Sequence, residues 1–269
     1  MKGESIMRKF AALLLVLLFT IGAFAGCVQN ADPVVAAAKS YLADLPEDKN
    51  MISVPELFEK MDAGEEMLII DIRSEEDYAE GHLIGAVNIP YATVGDYVEQ
   101  IPDDIQIYVH CYTGQAGSQT TVLLNVAGKQ VSNIQGGWKN GIIAEEGHEA
   151  YIETVANELP EGAYPVDPEI LAAVQNFYAV APNDDHANFN FPADELGKLI
   201  EAGNDEYTIV SVRKAEDYEA GHIEGAINIP FGRGMQEGLS GLSTDKPVIV
   251  YCYTGQSGSQ TMTVLRLDR

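Results

Sequence analysis

The chain is short of three things, and each shortage removes a class of function. Basic residues number 16 against 41 acidic, a formal net charge of −25 over 269 residues. A surface of that sign repels phosphates, which argues against nucleic acid and anionic membrane surfaces as partners. There are three cysteines, at 27, 111 and 252, with no C-x-x-C pair, and five scattered histidines. That supply supports neither a zinc site nor a paired-thiol oxidoreductase, and no metal or organic cofactor is expected. Tryptophan occurs once, at Trp138, which reads as packing near a loop mouth. Hydrophobic residues still make up 46% of the chain, enough to fill the cores of two domains of ordinary size.

The one basic cluster lies at the start. Lys2, Arg8 and Lys9 precede the apolar stretch FAALLLVLLFTIGAFA, and Ala25-Gly26-Cys27 follows. This is the layout of a secretory signal over residues 1–27. Small residues directly before a cysteine resemble the bacterial lipobox, with Phe24 where that signal usually has leucine. The resemblance implies lipidation at Cys27. The folded part is then exported and anchored to the outer face of the cytoplasmic membrane. The alternatives are an uncleaved anchor or ordinary cleavage after Ala25, and both also place it outside the cytoplasm.

Beyond residue 27 the chain repeats itself. CYTGQAGSQT at Cys111–Thr120 returns as CYTGQSGSQT at Cys252–Thr261, identical at nine of ten positions. IIDIRSEEDYAEGHLIGAVNIP at Ile69–Pro90 matches IVSVRKAEDYEAGHIEGAINIP at Ile209–Pro230 at 12 of 22. Each copy opens with an Asp-Pro pair, at Asp32 and Asp167. A period of about 140 residues is far too long for a solenoid unit and means two tandem domains. The expected boundaries are 32–148, a linker over 149–166, and 167–269. The second copy stops shortly after its cysteine motif and lacks a counterpart of QVSNIQGGWKNGIIAEE, so it reads as C-terminally truncated.

Within a copy, helical and strand patterns alternate. PELFEKMDAGE has helical spacing, MLIIDI is a buried strand, and EEDYAEGH is a short helix ending at Gly81. GAVNIP is a strand, TVGDYVEQI a helix, and IQIYVH a buried strand that runs directly into Cys111. SQTTVLLNVAG is a helix closed by Gly128, and the strand QVSNI and a final helix follow. The pattern predicts an α/β fold with a mostly parallel sheet flanked by helices.

Each repeated cysteine therefore sits where a strand gives way to a helix. Ligand sites in parallel sheets lie at the carboxyl ends of strands. A tight loop there turns backbone N–H groups inward at the positive end of the helix dipole. That field favours thiolate, which is the nucleophile. Gly114 and Gly255 let the loops turn tightly. The competing readings are an inert buried cysteine and a Cys111–Cys252 disulfide, the latter requiring the two loops to face each other.

Taken together, DIRSEEDYAEGHLIGAVNIP, a strand, CYTGQAG, a helix and NIQGGW resemble the rhodanese family of sulfurtransferases. The resemblance covers about residues 50–148 and 190–269. It implies two tandem rhodanese-like domains in which Cys111 and Cys252 carry a sulfane sulfur as a persulfide. Tyr112, Thr113, Gly114, Gln115 and Ala116, and likewise Tyr253, Thr254, Gly255, Gln256 and Ser257, match the substrate-binding loop. Asp71, Arg73 and Arg213 match supporting positions, and Gly81-His82 and Gly221-His222 a fold-shaping element. Two departures bear on chemistry. Ser211 stands where the first copy has Asp71, and neither loop carries Lys or Arg. The neutral loops predict weak use of thiosulfate, with polysulfide or a protein persulfide as donor and a thiol or cyanide as acceptor. Phosphatases and arsenate reductases of related fold close their loop with an arginine, which is missing here. A non-catalytic binding module is the remaining rival, chiefly for the second copy.

Overall fold

The computed structural model describes residues 32–268 of the chain, and Asp32–Arg269 forms one compact unit. Cys27 and the signal-like segment lie outside the described residues. In chain order the first part contains α1 (Pro33–Ala43), β1 (Met51–Ile52), α2 (Val54–Asp62), β2 (Met67–Asp71), α3 (Glu75–Glu80), β3 (His82–Leu83) and β4 (Val87–Asn88). It continues through α4 (Val94–Tyr97), β5 (Gln106–His110), α5 (Gln115–Val126), β6 (Gln130–Ile134), α6 (Gly137–Asn140) and β7 (Ile152–Glu153). The second part has α7 (Pro168–Val180), α8 (Ala193–Glu201), β8 (Thr208–Ser211), α9 (Ala215–Ala220), β9 (Ile227–Asn228), α10 (Gln236–Ser240), β10 (Val248–Tyr251) and α11 (Gln256–Asp268).

The first sheet runs in the order β1-β6-β5-β2-β4, and every pair is parallel. Its central strands β2 and β5 are buried on both faces, as their unbroken apolar runs require. One face packs on α2 and α3 through Leu57, Phe58 and Tyr78, and the other on α5 through Val122 and Leu123. The second sheet, β10-β8-β9, is also parallel, and among the described residues β10 is its edge. The α/β reading holds in both copies.

Three local readings differ. TVGDYVEQI forms only the single turn α4, after a 3₁₀ turn at Tyr91–Thr93. The cysteine helix starts at Gln115 rather than at Ser118, because Gly114, at φ +86°, turns the chain straight into it. The stretch 149–166 contains β7, which pairs antiparallel with β3. Two-residue strands are too short for alternation to reveal them.

The opening helices cross between the copies. Both start alike: the Asp32 carboxylate accepts from the N–H of Val34 at 2.9 Å, and Asp167 does the same for Glu169 at 2.9 Å, with proline in the first turn. Yet α1, besides packing on α5 of its own copy, also packs on α11 of the second. Tyr41 Oη donates to Gln260 Oε1 at 2.7 Å, Arg233 Nε donates to the Leu45 carbonyl at 3.0 Å, and Lys39 pairs with Asp268 at 3.0 Å. Conversely α7 lies on the first copy, where Tyr178 Oη donates to Thr120 Oγ1 at 3.0 Å and Gln175 Nε2 to the Gly95 carbonyl at 3.3 Å. Between them α5 and α11, the two cysteine-motif helices, pack against each other. One apolar cluster therefore spans both copies, from Leu42 and Val109 to Tyr178, Val210 and Val264.

Candidate active site

Cys111 follows the last residue of β5. Its sulfur accepts from the backbone N–H of Gly114 at 3.2 Å and of Gly117 at 3.3 Å, both at the start of α5. The residue is 5% exposed. Apolar neighbours close it on the core side, and peptide dipoles meet the sulfur on the other. The loop's outer side is held by the turn between β6 and α6. The N–H of Trp138 donates to the Cys111 carbonyl at 2.8 Å, and that of Lys139 to the Tyr112 carbonyl at 2.8 Å. Gly137, at φ +60°, makes this contact possible, since a Cβ there would lie 2.5 Å from the Cys111 oxygen and 2.7 Å from the Gly114 nitrogen. Thr113 lies beneath the same turn, and Ala116 packs into the core.

Tyr112 reaches back to the start of α3. Its hydroxyl bonds the Asp77 carboxylate and lies 3.3 Å from Ser74 Oγ. The Tyr112 hydroxyl, then Ser74, hold the Asp77 carboxyl below the usual carboxylate range. Asp71 and Arg73 do not reach the sulfur. They form a buried pair, Arg73 Nη2 to Asp71 Oδ2 at 2.6 Å and Nε to Oδ1 at 3.0 Å. Arg73 also donates to the Gly81 carbonyl at 2.7 Å and lies 3.8 Å from the Trp138 ring centre. The pair thus braces the residues around the loop. Trp138 in turn stacks on His110 at 5.9 Å. His82 stacks on Tyr78 and bonds the Tyr78 and Val155 carbonyls, a structural role.

The second loop repeats this plan more openly. Cys252 follows β10, is half-buried, and accepts from the Gly255 N–H at 3.0 Å, with Gly255 at φ +87°. A cavity of about 410 Å³, lined by Gln115, Phe191, Tyr251 and Arg266 among others, opens on it. Tyr253 bonds Asp217 as Tyr112 bonds Asp77, and the Lys214 N–H donates to its hydroxyl at 3.0 Å. Thr254 accepts from Gln256, and the Ser257 carbonyl accepts from Thr261 Oγ1 at 2.9 Å. With Ser211 in place of an acid, Arg213 has no carboxylate to fork onto and bonds the carbonyls of Gly221 at 2.9 Å and Asp217 at 2.7 Å instead. Both thiols are free.

Three residues near the first loop are not among the site residues expected from the sequence. His110 is fully buried, with neither ring nitrogen hydrogen-bonded and Nε2 3.6 Å from Asp71 Oδ2. Burial lowers its pKa against the opposing pull of Asp71. Its place directly before Cys111 was the available signal. Lys139 brings a cation to the rim, 5.2 Å from the Tyr112 ring centre, from a turn 27 residues on in sequence. Asn133 lies wholly buried against Gly117, and nothing local in the sequence marks it.

A strand, a cysteine loop whose amides turn onto the sulfur, and a helix define a cysteine-centred α/β domain. The family description "Rhodanese-like domain" matches residues 53–143 and again 192–268. The chain belongs to this family and carries the domain twice. A putative sulfurtransferase of Bacillus subtilis, YtwF, is 31% identical over 86 residues, covering 32% of this chain and 84% of its own. An HTH-type transcriptional regulator of Mycobacterium tuberculosis, Rv0324, is 31% identical over 152 residues, covering 54% of this chain. Only 61% of the regulator's own length is spanned. Among solved structures, the 3-mercaptopyruvate sulfotransferase SseA of Escherichia coli is 21% identical, covering 81% of this chain and 94% of its own, with a TM-score of 0.39.

Proposed function

We propose that the protein is a sulfurtransferase that moves a sulfane sulfur through a cysteine persulfide. The observation that supports this best is the pair of backbone N–H bonds on Cys111 Sγ at the first turn of α5. Fixed peptide dipoles stabilise a sulfur anion without a neighbouring cation and without reorganising during the reaction.

In the first half-reaction the Cys111 thiolate attacks the outer sulfur of the donor. A Cys–S bond forms, the donor's S–S bond breaks, and its electron pair leaves with the sulfite or thiolate fragment. In the second, cyanide or a thiolate attacks the outer sulfur of the persulfide. That yields thiocyanate or a new persulfide and returns the Cys111 thiolate. The loop amides hold one negative charge in each resting state. Cys252 follows the same chemistry with a single N–H donor and freer access.

The loops themselves hold no Lys or Arg to clamp the sulfonate oxygens that thiosulfate carries and the other sulfur donors lack. Polysulfide or a protein persulfide is therefore the favoured donor, and thiosulfate a poor one. Lys139 at the rim is a solvated cation whose pull is screened over ~8 Å at physiological salt. We also propose that the chain is exported and held at the membrane through a lipid on Cys27, a reading supported by the basic start, the apolar stretch and Ala25-Gly26.

Separate Cys111→Ser and Cys252→Ser variants, assayed for sulfur transfer from polysulfide to cyanide, test the reading. Each single variant is expected to keep only the share carried by the other cysteine, and the double variant to lose at least a hundredfold. Full activity with both cysteines replaced overturns it and favours a binding module.

A further inference from the structure

The two cysteine loops meet across the α5–α11 contact, and each presses a glutamine on the other's glycine. A Cβ on Gly255 would collide with the side chain of Gln115, and a Cβ on Gly114 would lie 2.7 Å from Gln256 Oε1. The two contacts are not equivalent. Gln115 lines the cavity that opens on Cys252. Gln256 is 8% exposed and fully engaged. Its Oε1 accepts from Asn133 Nδ2 at 2.9 Å and from the Gly136 N–H at 3.2 Å, while its Nε2 donates to Thr254 Oγ1 at 3.1 Å.

These partners surround the cradle of the other cysteine. Asn133 is wholly buried, and its Oδ1, with no hydrogen-bond partner, fills the space beside Gly117. The Gly136–Gly137 turn lies on the nitrogens of Thr113 and Gly114. Gly114 and Gly117 are the residues whose N–H groups meet Cys111 Sγ. One carboxamide from the second copy thus touches Gly114 directly, backs Gly117 through Asn133, and ties down the turn above both.

We propose that Gln256 is a positioning residue for the Cys111 site, supplied by the second copy to hold the amides of the first on the sulfur. The proposal builds on the reading of Cys111 as the sulfur carrier. Buried polar contacts of this kind lose their geometry when the shared acceptor goes, because Asn133 Nδ2 and the Gly136 N–H are left without one. The amides then stabilise the sulfur anion less well.

The test is the pH profile of Cys111 alkylation by iodoacetamide, followed peptide by peptide in the full chain. Of the titratable groups beside Cys111, burial pushes Tyr91 above its ordinary value and His110 below its own, so both shift away from the ordinary thiol range. Gln256→Met keeps the side-chain volume and removes the accepting oxygen. Its Cys111 profile is expected to move up by about half to one pH unit, a three- to tenfold slower reaction at fixed pH below the midpoint. Asn133→Ala is expected to move it the same way, and the double variant no further than the larger single change, since both act through one contact. Gln256→Ala replaces the Met variant should that one not fold. An unchanged profile in a folded variant, or fully additive shifts, overturns the proposal. Alkylation needs no sulfur donor, so failure here leaves the carrier role standing. A wild-type protein that takes up no sulfur sinks that role alone.

Discussion

The two arginines of the repeat show how one substitution changes what its neighbour does. Arg73 is forked onto Asp71 in the dry interior beside the first loop, whereas Arg213 faces Ser211 and has turned to carbonyl groups. Removing one member of a buried pair strands the other charge. Arg73→Ala is expected to cost roughly 3–5 kcal/mol in urea unfolding, and Arg213→Ala about 1 kcal/mol. Equal costs would mean that the Asp71 pair contributes nothing special. His110 gives a pH signature. Burial lowers its folded pKa below the unfolded value of 6.5, so below that pH the unfolded chain binds the extra proton. Stability should therefore fall as pH drops below about 6.5, by up to ~1.4 kcal/mol per pH unit from this group. His110→Gln should flatten that part of the curve; a slope identical to wild type would assign it to the carboxylates instead. The two thiols differ as well. Cys252 is the more exposed, and faster alkylation there than at Cys111 is expected, with the reverse order contradicting the structure.

At the scale of elements, the cysteine loop depends on a turn that follows it by more than twenty residues. Gly137 approaches the loop so closely that any side chain must displace backbone. Gly137→Ala should cost at least ~2 kcal/mol and slow sulfur transfer by tenfold or more. A normal melting temperature with normal activity would show that the turn is not a lid on the loop. Much of this level could be read from sequence. Apolar runs mark β2 and β5, Asp-Pro pairs mark the starts of α1 and α7, and the repeated CYTGQ marks both loops. What escaped depends on partners far along the chain. No local pattern tells Asn133 from any other strand residue, or Gln256 from a residue serving its own loop. The crossing of α1 and α7 between the copies was likewise invisible, because amphipathic helices announce an apolar face but not the surface that receives it.

At the scale of the whole molecule, these helices tie two sheets into one cooperative body. α1 lies on both copies and α7 on the first, and the shared cluster runs through both. One unfolding transition is expected by calorimetry, and two resolved transitions would show that the copies melt independently. We propose that the N-terminal segment attaches the chain to the membrane. Labelled fatty acid should be incorporated into the expressed full chain and lost in Cys27→Ser, and label retained in that variant would remove the anchor.

The sulfur itself offers the most direct measurement. The protein is treated with polysulfide, and intact mass and peptide mapping then locate any added sulfur. One extra sulfur atom on Cys111, removed by cyanide and absent in Cys111→Ser, is the expected result. An unchanged mass, or added sulfur that persists without Cys111 and Cys252, would contradict the role assigned to the cradle.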